Sequence, residues 1–216
     1  ALAPADPAWR GLRVVVTAGP TYEDIDPVRF VGNRSSGRMG FALAAEARRR
    51  GARVTLVVGP TRVDPPQVDA LVRVRSAADL HAAVMQAAEG ADVVIMAAAV
   101  ADYTPSSPAA GKLAKGDGPM TLTMHRTPDV LADLGRLPSR AEGRRPVLVG
   151  FAAETSNLLA KASAKRERKG ADLIVANDVS RDDIGFDVDA NAVTIISASG
   201  TIEVPRQSKA RVAAAI

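Results

Sequence analysis

The sequence contains no cysteine among its 216 residues. This absence excludes disulfide bonds, metal sites built on thiolates, and any mechanism in which a thiol of the protein is the nucleophile. Aromatic residues are also scarce, at 3% of the chain, so the core must be built mainly from Val, Ile, Leu and Ala. A hydrophobic share of 47% is sufficient for a substantial core.

Long apolar runs are missing as well. No stretch approaches the ~18 residues of a membrane-spanning helix, and no apolar segment of the signal-peptide type stands near the start. Together with the lack of cysteine, this predicts a cytoplasmic protein with no membrane partner. Residues 1–11 are rich in Ala and Pro, so we interpret them as a linker remnant and residues 12–216 as one domain.

The chain lacks a large excess of charge of one sign. The net charge is +4, and Lys and Arg are interspersed with Asp and Glu. Nucleic-acid-binding proteins usually gather basic residues in stripes beside stacking aromatics, so a nucleic-acid partner is not expected. The composition favours a small anionic substrate, and it is equally compatible with a mildly basic surface that binds nothing.

Apolar runs of strand length alternate with helical patterns along the chain. Strands are predicted at 12–18, 53–59 and 92–100, and a helix with a small-residue face is predicted over 36–51. This alternation predicts an α/β fold: a doubly wound, largely parallel, Rossmann-like sheet with helices on both faces. The end of the chain predicts a β-hairpin extension that turns near Gly200.

Residues 101–119 interrupt the alternation with several Pro and Gly residues. Such a long polar segment is more typical of a functional lid than of a simple turn. Residues 120–126 then alternate like an edge or antiparallel strand. A helix follows, with Thr127 predicted at its N-cap and Pro128 at its first position.

Polar segments follow the strand ends at four places, residues 19–36, 99–119, 150–157 and 177–190. In an open α/β sheet, ligands bind at the carboxyl ends of the strands. We therefore expect these four segments to form a single binding crevice.

Neither standard phosphate-binding motif occurs in the first of these segments. Residues 17–22 read TAGPTY, which does not match the G-x-G-x-x-G fingerprint of dinucleotide-binding proteins. Gly32 and Gly37 have the spacing of a P-loop. However, Arg38 stands in place of its Lys, and Met39 in place of the Mg²⁺-binding hydroxyl.

The start of the helix nevertheless suits an anion, because backbone N–H groups and the helix dipole favour negative charge there. Ser35 and Ser36 belong to that site or serve only as helix caps. Asn33 precedes the helix and could donate a hydrogen bond to a developing oxyanion. Asn is also a common turn residue, so the spacing alone leaves its role open.

Other charged residues have two interpretations each. Asp102 could bind a metal–phosphate complex or a sugar hydroxyl, or it could simply form a turn. Lys112 could close over an anionic substrate or only solvate the lid. Lys161, Lys165 and Lys169 make a basic helix face of the kind that is usually solvated.

Several kinds of site are not supported. His81 and His125 have no partners at metal-ligand spacing, so zinc is not expected. Residues 187–192 begin like a calcium loop, but Ala192 stands where Gly is required. The chain also has no G-x-S-x-G motif of esterases.

A set of motifs nevertheless occurs in order along residues 12–216. They are TAGPTYEDIDPVRFVGNRSSGRMG, AAAVADY, the Lys112-Leu-Ala-Lys115 segment, TPDVL, GFAAET, KRERKGADLIVANDV and FDVDANAVTII. Together they closely resemble the bacterial phosphopantothenate–cysteine ligases of coenzyme A biosynthesis. In bacteria this domain commonly follows a flavin-dependent decarboxylase domain, so FMN would belong to that missing domain.

The resemblance implies a two-step ligation in a homodimer. The carboxylate of 4'-phosphopantothenate attacks the α-phosphate of CTP, with Mg²⁺, to give an acyl-cytidylate and pyrophosphate. The amine of L-cysteine then attacks the acyl carbonyl, which gives 4'-phosphopantothenoyl-L-cysteine and CMP.

The resemblance also implies roles for single residues. Asn33 would hold the acyl carbonyl, Lys112 would engage the intermediate and the phosphates, and Arg29 would bind an anionic group of the substrate in its own or the partner subunit. Asp102 is also the candidate metal ligand. The implied CTP-binding residues are Gly19, Ser35, Ser36, Ala98, Ala99, Asp102, Lys112, Pro128, Asp129, Val130, Leu131, Phe151, Lys165 and Lys169. Two positions depart from the family pattern, because Arg38 and Ala114 stand where relatives often have Lys.

Two other functions stay open on the residues alone. One is a Rossmann-like dinucleotide-binding oxidoreductase, although the chain lacks a Tyr-x-x-x-Lys pair, since Tyr103 is followed by Ser107 at the relevant spacing. The other is a non-catalytic module that binds an acidic partner through the lysine-bearing helix. Pyrophosphate release from CTP would separate the ligase from both.

Overall fold

The structure is a computed structural model that describes residues 6–138, 145–154, 157–178 and 189–216. Its strands are β1 (Arg13–Ala18), β2 (Tyr22–Asp24), β3 (Phe30–Gly32), β4 (Arg53–Val58), β5 (Ala70–Arg73), β6 (Val93–Met96), β7 (Tyr103–Pro105), β8 (Met124–Arg126), β9 (Val147–Glu154), β10 (Leu173–Asp178), β11 (Ala190–Ser197) and β12 (Gly200–Ser208). Its helices are α1 (Arg38–Arg49), α2 (Ala77–Ala88), α3 (Val130–Gly135), α4 (Leu158–Lys169) and α5 (Lys209–Ala215), after a short 3-10 helix at Pro7–Trp9.

Eight strands form one sheet in the order β12-β11-β10-β9-β6-β1-β4-β5. The neighbours from β10 to β5 run parallel, whereas β11 and β12 add an antiparallel hairpin at one edge. That hairpin turns between Ser197 and Gly200. The prediction of a doubly wound, largely parallel sheet with a C-terminal hairpin is therefore confirmed.

Helices cover both faces of this sheet. Residues of α1 and α5 share one core cluster with Val14 and Val16 of β1, and residues of α2, α3 and α4 share the other with Val15. These three valines are at most 2% exposed. Burying a side chain of this size stabilises the fold by ~1.5–3 kcal/mol, so the alternation along β1 holds the two helical layers to the sheet.

Neither Ser35 nor Ser36 is the N-cap residue of helix α1, although Ser35 Oγ accepts a hydrogen bond from the N–H of Gly37 at 3.4 Å. Gly37 occupies the N-cap with φ at 77°, a backbone conformation that favours glycine. In the first turn, a Cβ on Gly40 would lie 2.6 Å from the Cβ of Ala18 in β1. Glycine at this position lets the helix start lie directly against the strand.

Strand β6 is shorter than the predicted strand and ends at Met96. The N–H of Ala98 donates to Thr17 Oγ1 at 3.0 Å, and the N–H of Ala99 donates to the carbonyl of Gly19 at 2.9 Å. These bonds turn the segment after β6 toward the loop that follows β1. An alanine-rich run does not distinguish a strand from a buried loop, which explains the wrong boundary.

The predicted lid begins as a strand. Tyr103–Pro105 pairs antiparallel with Met124–Arg126, so the lid prediction over 101–119 is wrong for its first part. The strand predicted over 120–126 is likewise confirmed only for its last residues. Residues 106–123 connect these two strands. We call this connection the lid, and it contains Lys112.

Helix α3 starts later than predicted. Asp129 is its N-cap and accepts a hydrogen bond from the N–H of Ala132 at 3.1 Å. Thr127, predicted as the cap, instead donates its hydroxyl to the carbonyl of Ala101 at 2.6 Å. A Thr-Pro pair and an Asp cap are both good helix starts, and the bond to Ala101 decides between them.

The polar segment 177–190 falls largely outside the described residues, and the calcium-like stretch 187–192 is described only from Asp189 onward. The interpretation of residues 1–11 as a linker remnant stays a prediction. In the described ranges, no helix combines the length and the apolar character that a membrane span requires.

Candidate active site

A cleft with two connected lobes runs along the carboxyl ends of the parallel strands. The α1 lobe, of about 420 Å³, is bounded by the start of α1. The α3 lobe, of about 520 Å³, is bounded by the start of α3. The two lobes share the residues Ala98, Val100, Asp102, Phe151 and Lys165. All four polar segments that were expected to converge contribute residues to this lining.

The first turn of α1 and the loop before it form one wall of the α1 lobe, from Asn33 to Gly40. The N-cap residue Gly37 has no side chain to cap α1, and its N–H donates to Ser35 Oγ at 3.4 Å. Backbone N–H groups at the positive end of a helix form a ready site for an anion. Arg38 adds a positive charge at the rim and pairs with Asp189 at 2.7 Å.

Asn33 stands where the α1 lobe meets the segment after β6. Its Nδ2 donates to the carbonyl of Val100 at 2.8 Å, with a longer contact of 3.5 Å to the carbonyl of Ala99. The residue before it, Gly32, has no space for a side chain, because a Cβ there would lie 2.8 Å from the carbonyl oxygen of Thr21. The amide of Asn33 is therefore held in one orientation at the edge of the cleft.

The α3 lobe is built from paired charges. Lys169 of α4 forms an ion pair with Asp129, and Lys165, one helical turn earlier, donates from Nζ to the carbonyl of Phe151 at 2.8 Å. Burial raises the pKa of the Asp129 carboxyl, but the hydrogen bonds from Lys169 and Ala132 outweigh it and leave the pKa below its ordinary value. This carboxylate is therefore ionised at neutral pH.

The helix face that carries these lysines is not simply solvated. Lys165 and Lys169 line the cleft, whereas Lys161 is exposed and lines neither lobe. The general interpretation of this face as solvated is wrong for the two lysines that the resemblance implied for CTP binding.

Most of the site residues implied by the resemblance lie together in the cleft. The α1 lobe contains Asn33, Ser35, Ser36, Ala98, Ala99, Asp102, Phe151 and Lys165, and the α3 lobe adds Pro128, Asp129, Val130, Leu131 and Lys169. Gly19, Arg29 and Lys112 do not line either lobe.

These three residues have other surroundings. Gly19 lies behind the α1 lobe, where its φ of 79° favours glycine and its carbonyl accepts the N–H of Ala99. Arg29 is bound to Asp26, and Lys112 stands exposed on the lid.

The sequence did not indicate three residues on the far wall of the α1 lobe: Asn177, Asn191 and Lys209. All three are buried, and Lys209 is only 6% exposed. Asn177, near the end of β10, carries a usable signal, because it is a polar residue near the carboxyl end of a parallel strand. Asn191 and Lys209 come from the edge hairpin and α5, whose position beside the site has no local signal in the sequence.

A metal ion would find few protein ligands here. Asp102 is the acidic residue shared by both lobes, and in the described part of the chain no three His, Cys, Asp or Glu side chains are grouped as a metal site. His81 lies 3.0 Å from Asp133, and His125 lies 3.3 Å from Ser106. The donors fit a metal held mainly by the phosphates of a bound nucleotide, as is usual for Mg²⁺.

Comparison with known proteins agrees with this architecture. Residues 9–216 match the family described as the DNA/pantothenate metabolism flavoprotein C-terminal domain. The coenzyme A biosynthesis bifunctional protein CoaBC of Bacillus subtilis is 47% identical over 201 residues, which cover 92% of this chain and 48% of that protein. The chain therefore spans about half the length of the curated relatives that it matches.

Solved structures show the same fold. The crystal structure of the C-terminal domain of a CoaBC protein has a TM-score of 0.79 and 40% identity, with 98% of this chain and 93% of that chain covered. A variant of Cab2, solved as a complex with phosphopantothenate-cysteine, has a TM-score of 0.72 at 16% identity over 94% of this chain and 84% of that one, a likeness of fold alone. Because the family match spans nearly the whole chain, the resemblance stated from the motifs is confirmed, and the chain belongs to the family of DNA/pantothenate metabolism flavoprotein C-terminal domains.

Proposed function

We propose that this chain is a CTP-dependent phosphopantothenate–cysteine ligase, acting in coenzyme A biosynthesis. The observation that carries the proposal is the continuous cleft, in which the start of α1 faces one lobe and two lysines of α4 reach the other. Asp102 stands where the lobes join, and Asn33 lines the α1 lobe. The names of the bacterial relatives, which are coenzyme A biosynthesis proteins, support the same function.

CTP would span the two lobes. Its nucleoside would occupy the α3 lobe against the start of α3 and Phe151, and its phosphates would extend to the first turn of α1. Lys165, at the junction, and Lys209, on the far wall, supply positive charge along that path. Mg²⁺, carried by the phosphates and bound in addition by Asp102, would neutralise negative charge when bound.

This arrangement addresses the main electrostatic difficulty of the first step. A substrate carboxylate must approach the α-phosphate, so two negatively charged groups must come within bonding distance. Fixed N–H dipoles and lysines on a preformed cleft lower that cost because they need no rearrangement during the reaction. The lid residue Lys112 would add its charge when the substrates are bound.

Asn33 would act in the second step. The amine of L-cysteine attacks the acyl carbonyl, and negative charge develops on the carbonyl oxygen before CMP leaves. A neutral amide in fixed orientation can stabilise that charge without attracting a proton from the amine. The contact of Asn33 with the carbonyl of Val100 supports this role because it fixes the side chain.

We also infer a homodimer in the cytoplasm and an N-terminal FMN-dependent decarboxylase domain in the complete protein. The bifunctional names of the relatives support the second domain. Exposed apolar side chains support a partner subunit: Val28 and Phe30 in the β2–β3 hairpin and Tyr103 in β7 are 60%, 45% and 48% exposed. Arg29 lies between Val28 and Phe30, where it could reach a substrate across such an interface.

The test is pyrophosphate release from CTP in the presence of phosphopantothenate, with and without L-cysteine. We expect release with phosphopantothenate alone, and product and CMP only when L-cysteine is added. The absence of pyrophosphate release with every nucleoside triphosphate would overturn the proposed function.

A single substitution tests the role of Asn33. Asn33→Asp places a negative charge where the oxyanion develops, so acyl-cytidylate should still form, whereas product formation should fall by ~10²–10³-fold. Gln67→Glu is the matched control, because it also converts an amide to a carboxylate but lies exposed outside the cleft. Normal product formation by Asn33→Asp would show that the assigned role is wrong.

A further inference from the structure

The tip of the β2–β3 hairpin contains a buried carboxylate that the proposed reaction does not use. Asp26 is 2% exposed and lies in the turn between the two strands. Its two oxygens accept five hydrogen bonds, from Val28 N at 2.8 Å, Arg29 N at 2.8 Å, Arg29 Nε at 3.0 Å, Arg29 Nη2 at 2.6 Å and Leu113 N at 3.1 Å. Four of these bonds are internal to the turn, and the fifth reaches the lid.

Arg29 completes a second bond to the same lid residue. Its Nη2 donates to the carbonyl of Leu113 at 2.7 Å while the guanidinium is paired with Asp26. Both backbone polar groups of Leu113 are therefore held by one Asp–Arg pair. A further bond, from the N–H of Ala109 to the carbonyl of Ile25 at 2.9 Å, attaches the lid to the same turn.

These attachments surround the lid lysine. Lys112 lies between Ala109 and Leu113. It directly precedes Leu113, whose backbone N–H and carbonyl are both hydrogen-bonded to the Asp26–Arg29 pair. Lys112 itself is exposed. The backbone around this lysine is therefore anchored, while its side chain is free to extend.

The charge state of Asp26 makes the attachment independent of pH in the ordinary range. Burial alone raises the pKa of a carboxyl, but the Arg29 guanidinium and the backbone N–H groups outweigh it and bring the pKa of Asp26 well below its usual range. A buried carboxylate requires such compensation, because leaving it unpaired is costly. The lid is thus attached to a group that stays ionised.

The same hairpin also positions Asn33. Strand β3 ends at Gly32, and Asn33 follows it directly. We propose that Asp26 is a positioning residue: with Arg29 it clamps Leu113, so that the hairpin holds the lid lysine Lys112 in a fixed relation to Asn33. The kinetic consequence of this clamp rests on the proposed function, whereas its structural consequence does not.

Limited trypsin digestion tests the clamp without any substrate. Trypsin cleaves after lysine, and the Lys112–Leu113 bond lies directly before the clamped residue Leu113. The Lys115–Gly116 bond in the same lid serves as an internal reference. In Asp26→Asn, cleavage after Lys112 relative to Lys115 should rise about tenfold, the factor expected for one lost charge-assisted hydrogen bond. Mass spectrometry of the fragments gives the ratio directly.

Asp24→Asn is the matched control in the same hairpin. Asp24 pairs with Arg75 at 2.9 and 2.6 Å and, within the described residues, forms no hydrogen bond or ion pair with the lid, so the cleavage ratio should not change. If Asp26→Asn does not fold, Arg29→Gln provides the second variant, since it removes the bond to the carbonyl of Leu113. An unchanged ratio in every folded clamp variant would overturn the proposal.

Kinetics then show whether the clamp acts through Lys112. Asp26→Asn should lower kcat for product formation about tenfold, and the same substitution in a Lys112→Ala background should cause little further loss. Fully multiplicative losses would show that Asp26 does not act through Lys112. If the chain ligates no substrate, the proposed function fails but the digestion result still decides whether the clamp exists.

Discussion

The α1 lobe offers backbone N–H groups at a helix start, whereas the α3 lobe offers side chains that are already paired with one another. In the α1 lobe, the helix start depends on glycines at Gly37 and Gly40. In the α3 lobe, Lys169 depends on Asp129 for its position. One lobe is thus organised by close backbone packing and the other by ion pairing, and the two should respond differently to substitution and to pH.

Among the substitutions that compare the two lobes, the largest effect is expected from the buried lysine of the α1 lobe. Lys209→Met keeps an apolar stem of similar length and removes the ammonium of a residue that lines this lobe. We expect kcat/KM for CTP to fall about 100-fold, the scale of losing one partner of a buried charged contact. Arg211→Met is the control, because Arg211 is exposed on the same helix and lines neither lobe. An equal loss in both variants would contradict the assignment.

Close packing of the α1 start is the next target. Gly40→Ala places a Cβ within 2.6 Å of the Ala18 Cβ and 2.7 Å of the Thr17 carbonyl oxygen, so the helix must move away from β1. We expect a loss of ~1–3 kcal/mol in the free energy of unfolding, measured by chemical denaturation, together with weaker CTP binding. Gly118→Ala should change neither quantity, since nothing lies within 4 Å of a Cβ there.

A smaller effect is expected in the α3 lobe. Lys169→Met removes the partner of Asp129 and should raise the KM for CTP about tenfold, while the free energy of unfolding changes by no more than ~1 kcal/mol because the pair is partly exposed. Lys161→Met changes the same residue type on the same helix outside the cleft. A comparable rise in KM for Lys161→Met would remove the distinction between the two lysines.

The smallest effect concerns pH. The pKa of Asp129 is lowered in the folded state, so its ionised form stabilises the protein at pH values above the ordinary Asp pKa, near ~3.9. That contribution is lost as pH falls below this value. The difference in unfolding free energy between the natural chain and Asp129→Asn should therefore hold steady above about pH 5 and shrink as the pH falls from about 4 toward about 2. A constant difference would mean that the α3 lobe does not depend on this charge.

The fold could be predicted from the sequence because its signals are local and repeated. Apolar runs such as 12–18 and 53–59 alternate with helical patterns, and this order is typical of a parallel sheet with two helical layers. The order also predicts where the strand ends gather, so a cleft at that edge followed from the sequence. The roles of single residues came from the resemblance, and all of them, including those of Asn33 and Lys112, stay predictions.

Features set by contacts between distant segments could not be predicted. The bond from Ala99 to Gly19 ends β6 early, but nothing near Ala99 in the sequence indicates it. Lys209 reaches the α1 lobe only because the antiparallel hairpin joins the sheet beside β10. In the sequence, Asp26 resembles an ordinary turn residue before a proline. Its partner in the lid, Leu113, lies 87 positions further along the chain, so no local pattern indicates the contact.

The early end of β6 has a consequence for the distance between bound ligands. The segment that leaves the sheet there carries Ala98, Val100 and Asp102, and each of them lines both lobes. Groups bound in the two lobes would therefore lie against the same few peptide units. The backbone of this segment contributes to the spacing between such groups, so an insertion or deletion there should change that spacing more than a side-chain substitution would.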